Sequence, residues 1–127
     1  MKVFENEDQF HKKLNKKTKK INPSKEQVLS KAFQFHSQGN IEEAAKYYQY
    51  LIIQGVRDHR VFSNYGLILK VLGKLKEAEI TTRKAIELNP NYALGYSNLG
   101  GILNSLGKLK EAELSIRKAI ELNPNEA

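Results

Sequence analysis

Three histidines are the first side chains to examine for acid–base or metal chemistry in this 127-residue chain. His11 lies in a lysine-rich start, while His36 and His59 fall on different predicted helices. Neither of the latter two has a carboxylate or cysteine at the three- or four-residue spacing that a helix-borne metal site or catalytic pair needs. The chain has no cysteine, which excludes disulfides and thiolate metal sites and fits a reducing compartment. Gly73-Lys74 and Gly107-Lys108 share the glycine–lysine pair of a phosphate loop. They lack its earlier glycine and its following Ser or Thr, so both are read as turns. No nucleophile elbow or dinucleotide fingerprint occurs. The expectation is a non-enzyme holding no metal and no cofactor.

What remains is binding chemistry. Asn64 and Asn98 stand 34 residues apart, and an amide side chain can pair with a ligand's backbone through both donors and an acceptor. The same interval governs the rest of the chain. Blocks of 34 place units at 25–58, 59–92 and 93–126, and the last two agree at 22 of 34 positions. Both contain Gly-Lys-Leu-Lys-Glu-Ala-Glu, at 73–79 and 107–113, and the first keeps the frame through Gly39 and Ala44. Within a unit the apolar spacing is helical, as in Phe62, Tyr65, Leu69 and Leu72 or Tyr96, Leu99, Leu103 and Leu106. Gly39, Gly73 and Gly107 split each unit into two halves, where a residue tolerating positive φ ends one helix. Pro90 and Pro124 stop the second half. Six helices are predicted, at 25–38, 41–54, 59–72, 75–88, 93–106 and 109–122.

This pattern resembles the tetratricopeptide repeat family. The third unit supplies Tyr96, Leu99, Gly100, Leu103, Ala112, Ile116 and Pro124 at the signature places. The second supplies Phe62, Tyr65, Gly66, Leu69, Ala78, Thr82 and Pro90. The first supplies Val28, Lys31, Ala32, Phe35, Ala44 and Tyr48, with Val56 where proline is expected. Ala32, Gly66 and Gly100 are expected where paired helices press closest, against Ala44, Ala78 and Ala112. Two departures stand out: Thr82 puts a hydroxyl in a packing position, and Lys31 replaces a core leucine. The resemblance implies an all-α fold, a right-handed α-solenoid of three helix–turn–helix repeats with a Lys-rich segment before it. Residues 25–126 form the repeat domain, and 1–24 form a basic tail with a possible short helix at 4–15.

By the family's geometry the first helices line a concave groove. It would be built from Ser30, Phe33 and His36, then Arg60, Ser63, Asn64, Leu67 and Lys70, then Ser97, Asn98, Gly101 and Asn104, with Leu29 also on that side. Such a groove suits an extended peptide, so the leading expectation is a scaffold that binds a segment of another protein. Asn64 and Asn98 are similar to the asparagine ladder in the repeat arms of O-linked N-acetylglucosamine transferases, and the units resemble those of bacterial repeat proteins of that type. The second reading is therefore the substrate-recruiting arm of a glycosyl-, sulfo- or methyltransferase. Arg60 and Lys70 could hold a carboxylate, although the family's lysine and asparagine clamp is not reproduced.

Charge supplies a third reading. The net charge of +7 is concentrated in residues 1–22, where seven lysines face three acids. Lys12 to Lys20 could attach weakly to nucleic acid, but a basic tail without interleaved aromatics gives only salt-sensitive binding, and a solvated tail is the expected role. The acidic start and the absence of about 18 consecutive apolar residues argue against a secretory leader or membrane span, so a cytoplasmic protein is expected. The last helix carries Leu114, Ile120 and Leu122 with no solvating segment following, which predicts self-association, docking of a partner there, or a chain that is part of a longer array.

Overall fold

The computed structural model describes residues 24–126, so the expected helix at 4–15 lies outside the described residues. Among the described residues there are six α-helices, a terminal 3-10 turn and no strand, which makes the fold an all-α repeat. The helices are α1 (Lys25–Ser37), α2 (Ile41–Ile53), α3 (His59–Val71), α4 (Leu75–Leu88), α5 (Ala93–Ser105) and α6 (Leu109–Leu122). They group into two compact units, one ending at Val56 and the other beginning at Arg57.

In the first unit, Ser24 starts α1 through a capping box. Its hydroxyl accepts from Gln27 N–H at 3.1 Å, and Gln27 Oε1 accepts from Ser24 N–H at 3.0 Å. The core of α1 and α2 includes Val28, Leu29, Ala32, Ala44, Tyr48 and Leu51. Tyr48 packs against Phe33 and His36, and Tyr47 against Phe35, so these tyrosines hold their own helix pair together. Lys31 is exposed, which accounts for a lysine at a leucine position. The missing proline is also explained. α2 ends on Gly55 at φ 83°, with Val56 N–H donating back to Leu51 O at 3.0 Å. A left-handed glycine thus stops this helix where proline follows the others.

The second unit contains α3 to α6. Gly73 and Gly107 both sit at φ 79°, and the next residue donates to the carbonyl five positions back, Lys74 to Leu69 and Lys108 to Leu103. These bonds satisfy carbonyls that a helix end would otherwise leave open. Within each hairpin the small residues meet as expected. A methyl group built on Gly66 would lie 3.4 Å from the Ala78 carbonyl oxygen, and one on Gly100 lies equally near that of Ala112. Thr82 fills the space over Gly66, and Ile116 the space over Gly100. Thr82 is fully buried, and its hydroxyl has no hydrogen-bond partner.

The hairpins of this unit join through an apolar seam in which Leu99, Leu103 and Ala112 pack with Ile86. Burial of a leucine of this kind stabilises by about 1.5–3 kcal/mol. A line of charge accompanies the seam. Glu79 receives Arg83 at 2.9 Å and Lys108 at 3.1 Å, and Arg83 reaches Glu111 at 3.4 Å. Burial would raise the pKa of Glu79, but hydrogen bonds from Arg83 and Lys108 hold it below its ordinary value. The expected four-residue pair Arg117–Glu113 also forms, at 2.6 Å.

Candidate functional site

The two faces of α3 in the second unit differ in kind. Val61, Tyr65, Gly66, Ile68 and Leu69 are buried against the hairpin, whereas Arg60 and Val71 are exposed and Asn64, Leu67 and Lys70 half-buried. Along α5, Ser97, Asn104 and Ser105 are exposed and Gly101 is half-buried. Helix propensity does not favour this run of Gly, Ser and Asn on α5, and its buried Leu99, Ile102 and Leu103 hold it in place instead. Here, then, short polar side chains line a strip between two helices.

Charge divides sharply. Neither α3 nor α5 contains an acidic residue, and the acids of residues 59–122 all lie on α4 and α6. At the start of α3, Asp58 caps the helix by accepting from Arg60 N–H at 2.9 Å, and its carboxylate takes the Arg60 guanidinium at 2.7 and 3.1 Å. The hydrogen bond from the Arg60 side chain pulls the Asp58 carboxyl below its ordinary pKa. Arg60 is thereby neutralised. Lys70 is not: it has no ion-pair partner among the described residues, and its ammonium lies over Gly101, where an added methyl would meet Nζ at 3.0 Å. Ser105 Oγ donates to the Gly101 carbonyl at 3.1 Å, so that acceptor is already occupied.

Three expected groove residues are corrected. Ser63 is fully buried and cannot line an open surface, because Asn98 Nδ2 donates to its hydroxyl at 2.9 Å. Leu29 is likewise buried, in the core of the first unit. Asn98 is itself buried, with its amide turned into the seam. The sequence signal for this bond was present: the dipeptide Ser-Asn occurs at 63–64 and again at 97–98, so the asparagine of one repeat can meet the serine of the repeat before it. Within the first unit, Ser30 is exposed and Phe33 half-buried. His36 Nδ1 lies 3.1 Å from the Tyr48 hydroxyl, and burial lowers its pKa.

Surface hollows open on the second unit, two of them beside α5 and α6. One, of about 200 Å³, lies between α5 and α6 and is lined by Ala93, Leu94, Ser97, Ile116, Ala119, Ile120 and Asn123. The other, of about 410 Å³, is more open and runs past Ile86, Tyr96, Leu99 and Leu114. Of the residues expected to mediate self-association, Ile120 lines the first, Leu114 lines the second, and Leu122 is half-buried. No helix among the described residues is long and apolar enough to cross a membrane, and none of their His, Asp and Glu side chains form a group of three or more able to hold a metal.

Residues 59–92 and 93–126 each match a family model described as tetratricopeptide repeat. No curated protein matches the chain in sequence. Among solved structures, MamA superposes with a TM-score of 0.79 at 21% identity, over 90% of this chain. The matched region spans 65% of the MamA chain. The first repeat domain of Spaghetti (RPAP3), solved with the HSP90 peptide SRMEEVD, gives 0.73 at 27% identity, covering 83% of this chain and 86% of that one. The type III secretion chaperone SycD of Yersinia enterocolitica, solved with a peptide of the translocator YopD, gives 0.72 at 27%, covering 79% and 76%.

Proposed function

The chain belongs to the tetratricopeptide repeat family, and from that premise we propose that it binds an extended segment of a partner protein along α3 and α5. The observation that carries this reading is where the two similar repeats differ. Their second helices, α4 and α6, differ at three of 14 positions, and their first helices, α3 and α5, at eight of 13. Stacking asks the same of each second helix. A ligand that crosses the first helices asks something different of each. Leu67 against Gly101, Lys70 against Asn104 and Val71 against Ser105 all fall on the solvent side of this strip.

The structural relatives support the same reading, since RPAP3 holds an HSP90 peptide and SycD a YopD peptide. Preformed helices bind without a large ordering cost of their own, while the peptide loses its freedom. The affinity is expected near micromolar, about −8 kcal/mol. Scaffolding of this kind requires no reactive group.

The test is chemical-shift mapping of the labelled full chain with peptides selected from a random dodecapeptide pool. Amides of Leu67, Lys70, Gly101 and Asn104 should move most, and an Asn104→Ala, Leu67→Ala double variant should bind more weakly with an unchanged melting point. Shifts confined to the outer faces of α4 and α6 would remove the proposal. Asn98→Ala is a poor probe of binding, because it also breaks the bond to Ser63.

A further inference from the structure

We propose that the open side of α6 is a self-association surface, on which a second copy of this chain lays its own α6 antiparallel about a twofold axis near Ser115. Leu109, Glu113, Ile116, Ile120 and Asn123 follow one another at steps of four, three, four and three residues, the spacing that keeps one stripe along a helix. Leu109, Ile116 and Ile120 are large apolar side chains left exposed on it. The same stripe on α4 is Leu75, Glu79, Thr82, Ile86 and Asn89, and none of these is exposed.

Charge identifies the occupant. On the covered side Glu79 takes Lys108 at 3.1 Å as well as Arg83 at 2.9 Å, and Arg83 reaches Glu111 at 3.4 Å. Each of those two charges thus has a partner in the next repeat. Their counterparts Glu113 and Arg117 pair only with each other among the described residues, at 2.6 Å, and keep 61% and 74% of their side-chain surface. An acid and a base one turn apart complement the same pair turned end for end. With the axis near Ser115, Glu113 stands level with Arg117 of the second copy, and Arg117 with its Glu113. Leu109 then falls within one residue of Ile120 of that copy, so the apolar ends of the stripe also meet.

The first helix of another copy suits this stripe less. α1 has Ser30 and Lys31 where α5 has Asn98 and Leu99, so stacking head to tail would set a lysine ammonium on Ile120. It would also bring Asn40, rather than a lysine, to Glu113. Two helices about 21 Å long, laid side by side, bury less than the roughly 800 Å² per partner of a standard interface. The dimer is therefore weak and reversible, with an expected Kd of about 100 µM. No residue of this contact lies on α3 or α5, so the proposal stands apart from peptide binding there.

Sedimentation equilibrium of the full chain from about 10 µM to about 1 mM tests this, with monomer expected at the low end, dimer at the high end and nothing larger. Glu113→Lys and Arg117→Glu each set like charges against each other twice, and each variant alone should dimerise at least about tenfold more weakly. An equimolar mixture of the two should recover the dimer, because every reversed charge then faces an opposite one. Ile120→Glu should also weaken the dimer, with no rescue by either charge variant. Circular dichroism checks that the variants fold, and an exposed ion pair contributes little to that. A mixture no better than its components would overturn the twofold arrangement, and assemblies growing past the dimer would replace it with head-to-tail stacking. Wild-type monomer at every concentration would overturn the proposal and leave the stripe to a further repeat or another protein.

Discussion

Residues 59–92 and 93–126 present the same face twice, once covered and once open. In the second repeat, Ser63, Thr82 and Ala85 are fully buried, and Ile86 packs into the seam formed with Leu99 and Leu103. Their counterparts in the third repeat are Ser97, Ile116, Ala119 and Ile120. Ser97 is exposed, Ala119 is half-buried, and Ile116 and Ile120 keep 39% and 42% of their surface. Where α5 lies over the second repeat, the third has a hollow. Nearly equal sequences therefore occupy unequal environments, and burial here belongs to the neighbour a repeat has rather than to the repeat itself.

The widest split between the two faces should come from charge. Ala85→Asp buries an unpaired carboxylate and is expected to cost about 3 kcal/mol or more, whereas Ala119→Asp should cost under about 1 kcal/mol. Urea midpoints of the two variants measure the gap, and equal losses would mean that the third repeat is covered after all. A smaller effect of opposite sign is expected at Thr82. Thr82→Val removes a buried hydroxyl that has no partner and should stabilise by about 1 kcal/mol, read as a rise in melting temperature. The Ser63–Asn98 bond should show a coupling near 1 kcal/mol in a Ser63→Ala, Asn98→Ala cycle. Ser97→Ala, on the open face, should be near neutral.

The smallest effect concerns the first unit, which serves as the outside reference. Burial lowers the pKa of His36 below 6.5, so the folded chain favours the neutral ring. Its contribution is complete above the unfolded value and declines as pH falls through 6.5 toward the lower folded value. Because the ring is only partly buried, the loss should stay under about 1 kcal/mol. Urea midpoints at pH 7.5 and pH 5 measure it, and His36→Gln should flatten the difference relative to wild type.

Helices were the most legible part of the sequence. All six expected spans match the observed ones to within one residue, because the glycine turns and the Asn-Pro stops act locally. The close approaches at Gly66 and Gly100 were readable for the same reason: small residues recur where large ones would not fit. Pairing between repeats was harder to see. Ser63 was expected on the ligand face because the family's geometry puts it there with Arg60 and Leu67, and that general geometry says nothing of the asparagine that arrives 35 residues later. Lys70 was assigned to the binding face from its position, but its lack of a counter-charge depends on what α5 does not carry, which only the packed pair reveals.

The hairpin turns at Gly39, Gly73 and Gly107 share one geometry, with φ of 78–79° and the same pair of backbone bonds. Each closes over residues that are near neighbours along the chain, so little loop entropy is lost in forming it. Contacts this short in sequence give rapid folding, and any one hairpin can form before the others and template the next. A nascent chain emerging from the ribosome could thus begin to fold one hairpin at a time, before its last repeat has been made.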